Sequence, residues 1–151
     1  MTNSGVRIER ATLDGLTGRQ VYDIYRLRVD VFVVEQTCVY PEVDDHDLLA
    51  EHLWVDGESG LAAYLRIIDD GHERRIGRVV TAPQARGHGL ATALVAEVLE
   101  TTIGPWALEA QTYLRSFYEG FGFVVTGPEY IEDGIPHLPM RFALDSVNDV
   151  S

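Results

Sequence analysis

One stretch of the chain combines residue types and a spacing suited to holding an anion: Arg78-Val79-Val80-Thr81-Ala82-Pro83-Gln84-Ala85-Arg86-Gly87-His88-Gly89-Leu90-Ala91. A β-type run from Ile76 to Thr81 feeds a short turn. A helix-period pattern of Leu90, Ala91, Leu94, Val95, Val98 and Leu99 starts directly after Gly89. A helix N-terminus offers unpaired N–H groups and a partial positive charge, both suited to phosphate. Gly87 and Gly89 lack Cβ atoms and let the backbone approach an anion closely. Taken alone, the pair serves equally well as a tight strand-to-helix connection. Two known phosphate motifs are excluded: there is no Gly-Lys-Ser/Thr, and no third glycine at the dinucleotide spacing.

Other groups have chemistry to offer, each with a plainer reading. Asp44, Asp45, His46, Asp47, Glu51 and His52 suit a divalent cation by type, but their spacing matches neither a Ca²⁺ loop nor a zinc pattern. A solvated acidic loop with an Asp helix cap is expected there, and no metal. Cys38 reads as a small apolar filler rather than a nucleophile. Arg28 falls on an apolar helix stripe, where a snorkelling or salt-bridged arginine is expected and an arginine lining a cleft is the alternative. Tyr118 shares a stripe with Leu114, Phe117 and Phe121, which by itself describes a core aromatic.

Hydrophobic periodicity supplies the elements that must position these groups. Residues 6–11 alternate as a half-buried strand, and Thr17 can cap a helix whose apolar stripe is Val21, Ile24, Tyr25, Val31 and Phe32. Residues 52–55, 61–68 and 73–81 read as three sequential antiparallel strands joined by turns at 56–60 and 69–71. A helix over 87–103 stops near Gly104-Pro105, and residues 106–110 form a short buried strand. A helix from about Thr112 ends at Gly120 and Gly122. Strands at 123–125 and 140–144 follow, and the polar tail 145–151 is expected to fray.

The 151 residues fit one domain, 1–151, and the 46% hydrophobic content suffices for a packed core. A formal charge of -12 repels nucleic acid and anionic membrane, so neither is expected as a partner. A local basic pocket remains compatible with that charge, since Arg78 and Arg86 flank the glycine turn. One cysteine excludes an internal disulfide and, with no leader-like or membrane-spanning run, points to a reducing, cytoplasmic setting.

Gln84-Ala85-Arg86-Gly87-His88-Gly89 fits the pattern Gln/Arg-x-x-Gly-x-Gly/Ala and resembles the coenzyme A pyrophosphate loop of the GNAT superfamily of N-acetyltransferases. Phe117-Tyr118-Glu119-Gly120-Phe121-Gly122-Phe123 resembles the Tyr-bearing late helix of that superfamily. Within it, the chain is similar to the ElaA-like branch through Val31-Phe32-Val33-Val34-Glu35-Gln36 with Cys38, Tyr40, Asp44 and Asp47. Ala110-Gln111 and Glu132-Asp133-Gly134-Ile135-Pro136-His137 with Met140 extend the similarity, which runs from about Leu27 to Met140.

This resemblance implies an α/β fold of the α+β type: a GNAT-like mixed, mostly antiparallel sheet with two splayed central parallel strands and flanking helices. It implies transfer of an acetyl group from acetyl-CoA to a primary amine, in a small molecule or a peptide, with both substrates bound together. Val79, Val80 and Thr81 would pair with the pantetheine and polarise the thioester. The N–H groups of Arg86, Gly87, His88, Gly89, Leu90 and Ala91 would cradle the pyrophosphate. Tyr118 stands at the general-acid position, with Tyr113 a weaker stand-in. The resemblance leaves the base open: residues 76–81 carry no carboxylate, and Glu35, His52, Glu109 and His137 are the candidates. Glu35 follows an apolar run where burial would raise its pKa, or it pairs with a cation such as Arg28. A non-catalytic coenzyme A-binding sensor on the same scaffold is the rival expectation, and a homodimer is compatible with either.

Overall fold

The computed structural model describes residues 5–143. The expected end of the last strand at Leu144 and the tail 145–151 lie outside them. Eight strands form one sheet: β1 (Glu9–Thr12), β2 (Glu51–Gly57), β3 (Gly60–Asp69), β4 (Arg74–Thr81), β5 (Trp106–Gln111), β6 (Phe123–Val125), β7 (Tyr130–Glu132) and β8 (Ile135–Phe142). Their order is β1-β2-β3-β4-β5-β8-β6, with β7 paired to β8. All pairings are antiparallel except β4 with β5. This is the mixed α/β architecture that the resemblance implied.

Alternation along the strands divides the core between the two faces of the sheet. Leu53, Val55, Leu65, Ile67 and Ile76 pack against α3 (Leu90–Thr101), which buries Ala93, Leu94, Val95 and Val98. Each such large aliphatic contributes roughly 1.5–3 kcal/mol of burial. Trp54, Tyr64 and Val80 face the other way, toward Ile24 and Leu27 of α1 (Gly18–Arg28). Thr17 and Gln20 form a reciprocal capping box at the start of α1.

Three departures from the periodicity matter for the site. Where one helix is expected through Phe32, α1 gives way to a π-helical segment, Val29–Glu35. Its run of β-branched valines disfavours regular α-helix, and within it Val31 and Phe32 are buried. The late helix is short: one 3₁₀ turn, Thr112–Leu114, then α4 (Arg115–Glu119). The last strand is longer than expected and folds back on β7 as a hairpin. At its tip Asp133 and Gly134 both have positive φ, +51° and +80°, the requirement of a type I′ turn.

Candidate functional site

β4 and β5 pair only at Arg74↔Trp106 and Arg75↔Ala107. Beyond that point they diverge, and the β5-facing edge of β4 carries no ladder partner from Ile76 to Thr81. A cleft of about 620 Å³ fills the wedge. Its walls are the two strands, Val31, Phe32 and Glu35 of the π-helical segment, Cys38 and Tyr40 of the following loop, Leu114, Phe117 and Tyr118, and Glu132, Asp133 and His137 of the hairpin. A hollow of about 180 Å³ adjoins it beside Gly87, Gly89 and Leu90, sharing Thr81, Arg86, Ala91 and Phe117 with the cleft.

Gly87 and Gly89 both adopt positive φ, +85° and +73°, and Gly89 is the N-cap of α3. A Cβ on either would meet no protein atom within 4 Å, so the space beside them is open. The first-turn N–H groups of α3 have no partner one turn earlier. Ala93 is the first to donate back, to the Gly89 carbonyl at 3.0 Å. His88 is exposed between the glycines. Arg86 departs from expectation: its N–H donates to the Pro83 carbonyl at 3.4 Å, so the available donors begin after it.

The two arginines that flank the glycine turn do not form a free basic pocket. The Arg86 guanidinium is bound bidentately by Glu35 at 2.8 Å on each arm, and its Nε donates to the Thr81 carbonyl at 3.2 Å. Arg78 is bound by Glu42 and Asp44. Both charges are neutralised in place.

The base candidates separate. Glu35 is not the buried carboxylate with a raised pKa that the apolar run suggested. It is exposed, and the Arg86 hydrogen bond and charge hold it below the usual carboxylate range. Its partner is Arg86 and not Arg28. His52 is 1% exposed on the α1 face of the sheet, its pKa lowered by burial. Its Nε2 donates to the Asp47 carbonyl at 3.2 Å, since a carbonyl only accepts, and so its Nδ1 accepts from the Tyr64 hydroxyl at 2.5 Å. Both ring nitrogens are therefore committed. Glu109 reaches the cleft but accepts from Arg75 and from the Tyr130 hydroxyl.

His137 lines the cleft with a different geometry. Its Nδ1 lies 2.8 Å from the Ile135 carbonyl and must be the donor there, which leaves the Nε2 lone pair available in the neutral ring. The ring stacks on Tyr130, its cross-strand partner, at 5.8 Å and 22°. Gln111 of β5 is its partner on the other side. Tyr118 sits on the α3 side of the wedge, 5% exposed, edge-on to Phe117 and Phe123. Burial raises its pKa, which keeps the phenol protonated at neutral pH. Tyr113 is 73% exposed at the rim. Cys38 lines the cleft as a buried thiol raised by burial, its Sγ 3.0 Å from the Asp133 carbonyl.

The acidic loop is not the solvated loop its composition suggests. Glu42 and Asp47 are 4% and 1% exposed and, with Asp44, are taken up by three arginines. Arg28 binds Glu42 and Asp47, Arg66 binds Asp44 and Asp47, and Arg78 binds Glu42, at 2.7–2.9 Å. Asp45 holds the N-cap position of α2 (His46–Leu49) without a side-chain cap bond. Arg28 is therefore a buried, salt-bridged arginine, stacked on Tyr25 and Tyr64. The sequence reading missed Tyr130 and Glu42, which do not line the cleft but hold residues that do: Tyr130 stacks on His137 and Glu42 binds Arg78. The signal for Tyr130 was present in Asp133-Gly134, a hairpin dipeptide, whereas Glu42 carried none.

A splayed parallel pair beside a glycine-capped helix, with a buried tyrosine lining the gap, defines an acyl-CoA N-acyltransferase fold. Residues 29–144 match the family model of the acetyltransferase (GNAT) domain, and the chain belongs to that family. It is 38% identical to Protein ElaA of Escherichia coli strain K12 over 135 residues, covering 83% of this chain and 88% of the relative. A UPF0039 protein of Mycobacterium tuberculosis is 43% identical over 141 residues, covering 88% and 90%. The crystal structure of E. coli ElaA superposes with a TM-score of 0.84 at 34% identity, covering 90% of this chain and 99% of that one. An acyl-CoA N-acyltransferase from Pseudomonas aeruginosa gives 0.81 at 38% identity, covering 91% and 99%. Among the described residues, no helix is long and apolar enough to cross a membrane.

Proposed function

We propose that this protein transfers an acetyl group from acetyl-CoA directly to a primary amine. The observation that carries the proposal is the unpaired edge of β4 in the wedge, with the glycine loop at one end and Tyr118 and His137 on opposite faces. The pantetheine would complete the ladder at Val79, Val80 and Thr81, and the pyrophosphate would lie on Gly87, His88, Gly89, Leu90 and Ala91. The Arg86 side chain would border both hollows without contributing a free charge.

The acceptor reaches the wedge as an ammonium ion, with a pKa of roughly 10. His137 Nε2 accepts a proton from it, directly or through one water. The freed nitrogen attacks the thioester carbon, and a β4 N–H stabilises the oxyanion. As the intermediate collapses the C–S bond breaks, Tyr118 gives its proton to the leaving sulfur, and the second proton that the nitrogen sheds in becoming an amide returns to the tyrosinate, directly or through water. The net charge of -12, with Glu132 and Asp133 at the cleft, favours a cationic acceptor, as a small molecule or a peptide.

The test is an acceptor panel with acetyl-CoA, read as free thiol, alongside calorimetry of coenzyme A. An active amine should lose turnover by roughly 10²-fold in Tyr118→Phe while coenzyme A affinity holds. Binding without transfer to any amine would favour a non-catalytic sensor. Absence of binding would sink both readings.

A further inference from the structure

Arg78 has φ +54°, at the point where β3 and β4 slip register. Tyr64 opposes Val80 while Arg66 opposes Gly77, so β4 bulges by one residue in that interval. A residue with a Cβ seldom adopts this conformation, and glycine does so freely. Gly77 stands next in the chain, yet the arginine takes the left-handed position. Such a conformation persists where the surroundings hold it.

The side chain shows what holds it. Arg78 Nε donates to Glu42 Oε2 at 2.7 Å and Nη2 to the Glu42 carbonyl at 3.2 Å. The guanidinium lies over the Tyr40 ring at 5.6 Å, and the Tyr40 hydroxyl donates to Glu42 Oε1 at 2.7 Å. Glu42 is buried and also accepts from Arg28 at 2.8 Å. One carboxylate thus fixes the β4 bulge and the loop that carries Tyr40. Arg78 and Tyr40 both line the cleft. Tyr40 packs with the cluster on the α1 face, whereas Tyr118 belongs to the cluster on the α3 face. The clamp therefore acts on the side of the wedge opposite the proposed acid.

We propose that Arg78 is the positioning residue for the acceptor: its backbone forms the bulge at the point of transfer, and its side chain fixes Tyr40 as the wall against which the amine packs. This rests on the amine acyl-transfer reading above. It separates two functions along β4, with donor binding on the free edge and acceptor placement through the Arg78 side chain.

Arg78→Gly permits the left-handed backbone without strain and removes the clamp. Its KM for the amine should rise about tenfold or more, with the coenzyme A Kd from calorimetry within about twofold of the parent. Arg78→Lys should restore only part of the loss, because an ammonium cannot reproduce the forked contact with Glu42 and the stack on Tyr40. Unchanged amine kinetics in Arg78→Gly, or amine KM and coenzyme A Kd rising together, would overturn the proposal. If Arg78→Gly does not fold, Tyr40→Leu must raise the amine KM by a similar factor, and an unchanged KM overturns the proposal equally. A parent enzyme that transfers to an amine while these variants do so undiminished defeats the positioning role alone. A parent that transfers to none defeats both readings.

Discussion

His137 owes its usefulness to a bond that it makes with its own hairpin. The Ile135 carbonyl fixes the proton on Nδ1 and turns Nε2 into the acceptor, while Tyr130 holds the ring plane. Replacing His137 by Asn should lower kcat by roughly 10²-fold at neutral pH with coenzyme A binding intact. If His137 serves by taking the ammonium proton, the deficit should shrink as pH rises toward the amine pKa of about 10, where free amine forms unaided. A deficit constant from pH 7 to 10 would remove His137 from the role. Sequence alone left four candidates because type and spacing say nothing of where a hydrogen bond leaves a lone pair. His52 and His137 are chemically identical on paper, and only one has a nitrogen to spare.

At the level of elements, the β4–loop–α3 junction is the part most directly written in the chain. Gly87 and Gly89 need positive φ, and open space lies where their side chains would be. Gly89→Val should weaken coenzyme A binding at least tenfold while the domain still folds, because left-handed valine costs only about 1–2 kcal/mol. Calorimetry and a thermal melt separate the two effects, and unchanged affinity would refute the phosphate-loop assignment. The start of α1, the three-strand meander and the late Tyr-bearing turn were likewise legible, since caps, turn residues and periodicity are local signals. The π-helical segment was not, because a valine run fits a helix face and a strand equally well until packing chooses.

For the whole molecule, the buried arginine–carboxylate network decides how the site side is held together. Burial alone would raise the Asp47 pKa, but bonds from Arg28 and Arg66 outweigh it and hold the carboxyl below its usual range. A carboxylate with a depressed folded pKa stabilises fully above its unfolded value, about 3.9, and loses that contribution as pH falls through the folded value. His52 adds an earlier limb: burial lowers its pKa, so its contribution is complete above about pH 6.5 and declines as pH drops. Acidification also relieves surface repulsion in a chain of charge -12, but exposed charges are screened beyond about 8 Å at physiological salt. The thermal midpoint should therefore fall from about pH 6.5 and more steeply below about pH 4. Asp47→Asn should cost about 3 kcal/mol at pH 7, because Arg28 and Arg66 each lose one of two carboxylate partners, and should flatten the acid limb. A melt that is flat from pH 7 to 3 in the parent would contradict this account.

What the sequence determined by itself is the local and the periodic: the glycine-capped helix, the Tyr118 stripe and the meander. Those follow from backbone conformational limits and side-chain alternation, which act over a few residues. Only the tertiary structure decided which charges meet. Glu35 found Arg86 across 51 positions and left the list of buried bases, and Glu42 joined Arg28 to Arg78. Such pairings are set by the crossing of distant elements, and a carboxylate's pKa depends on the partner it meets there.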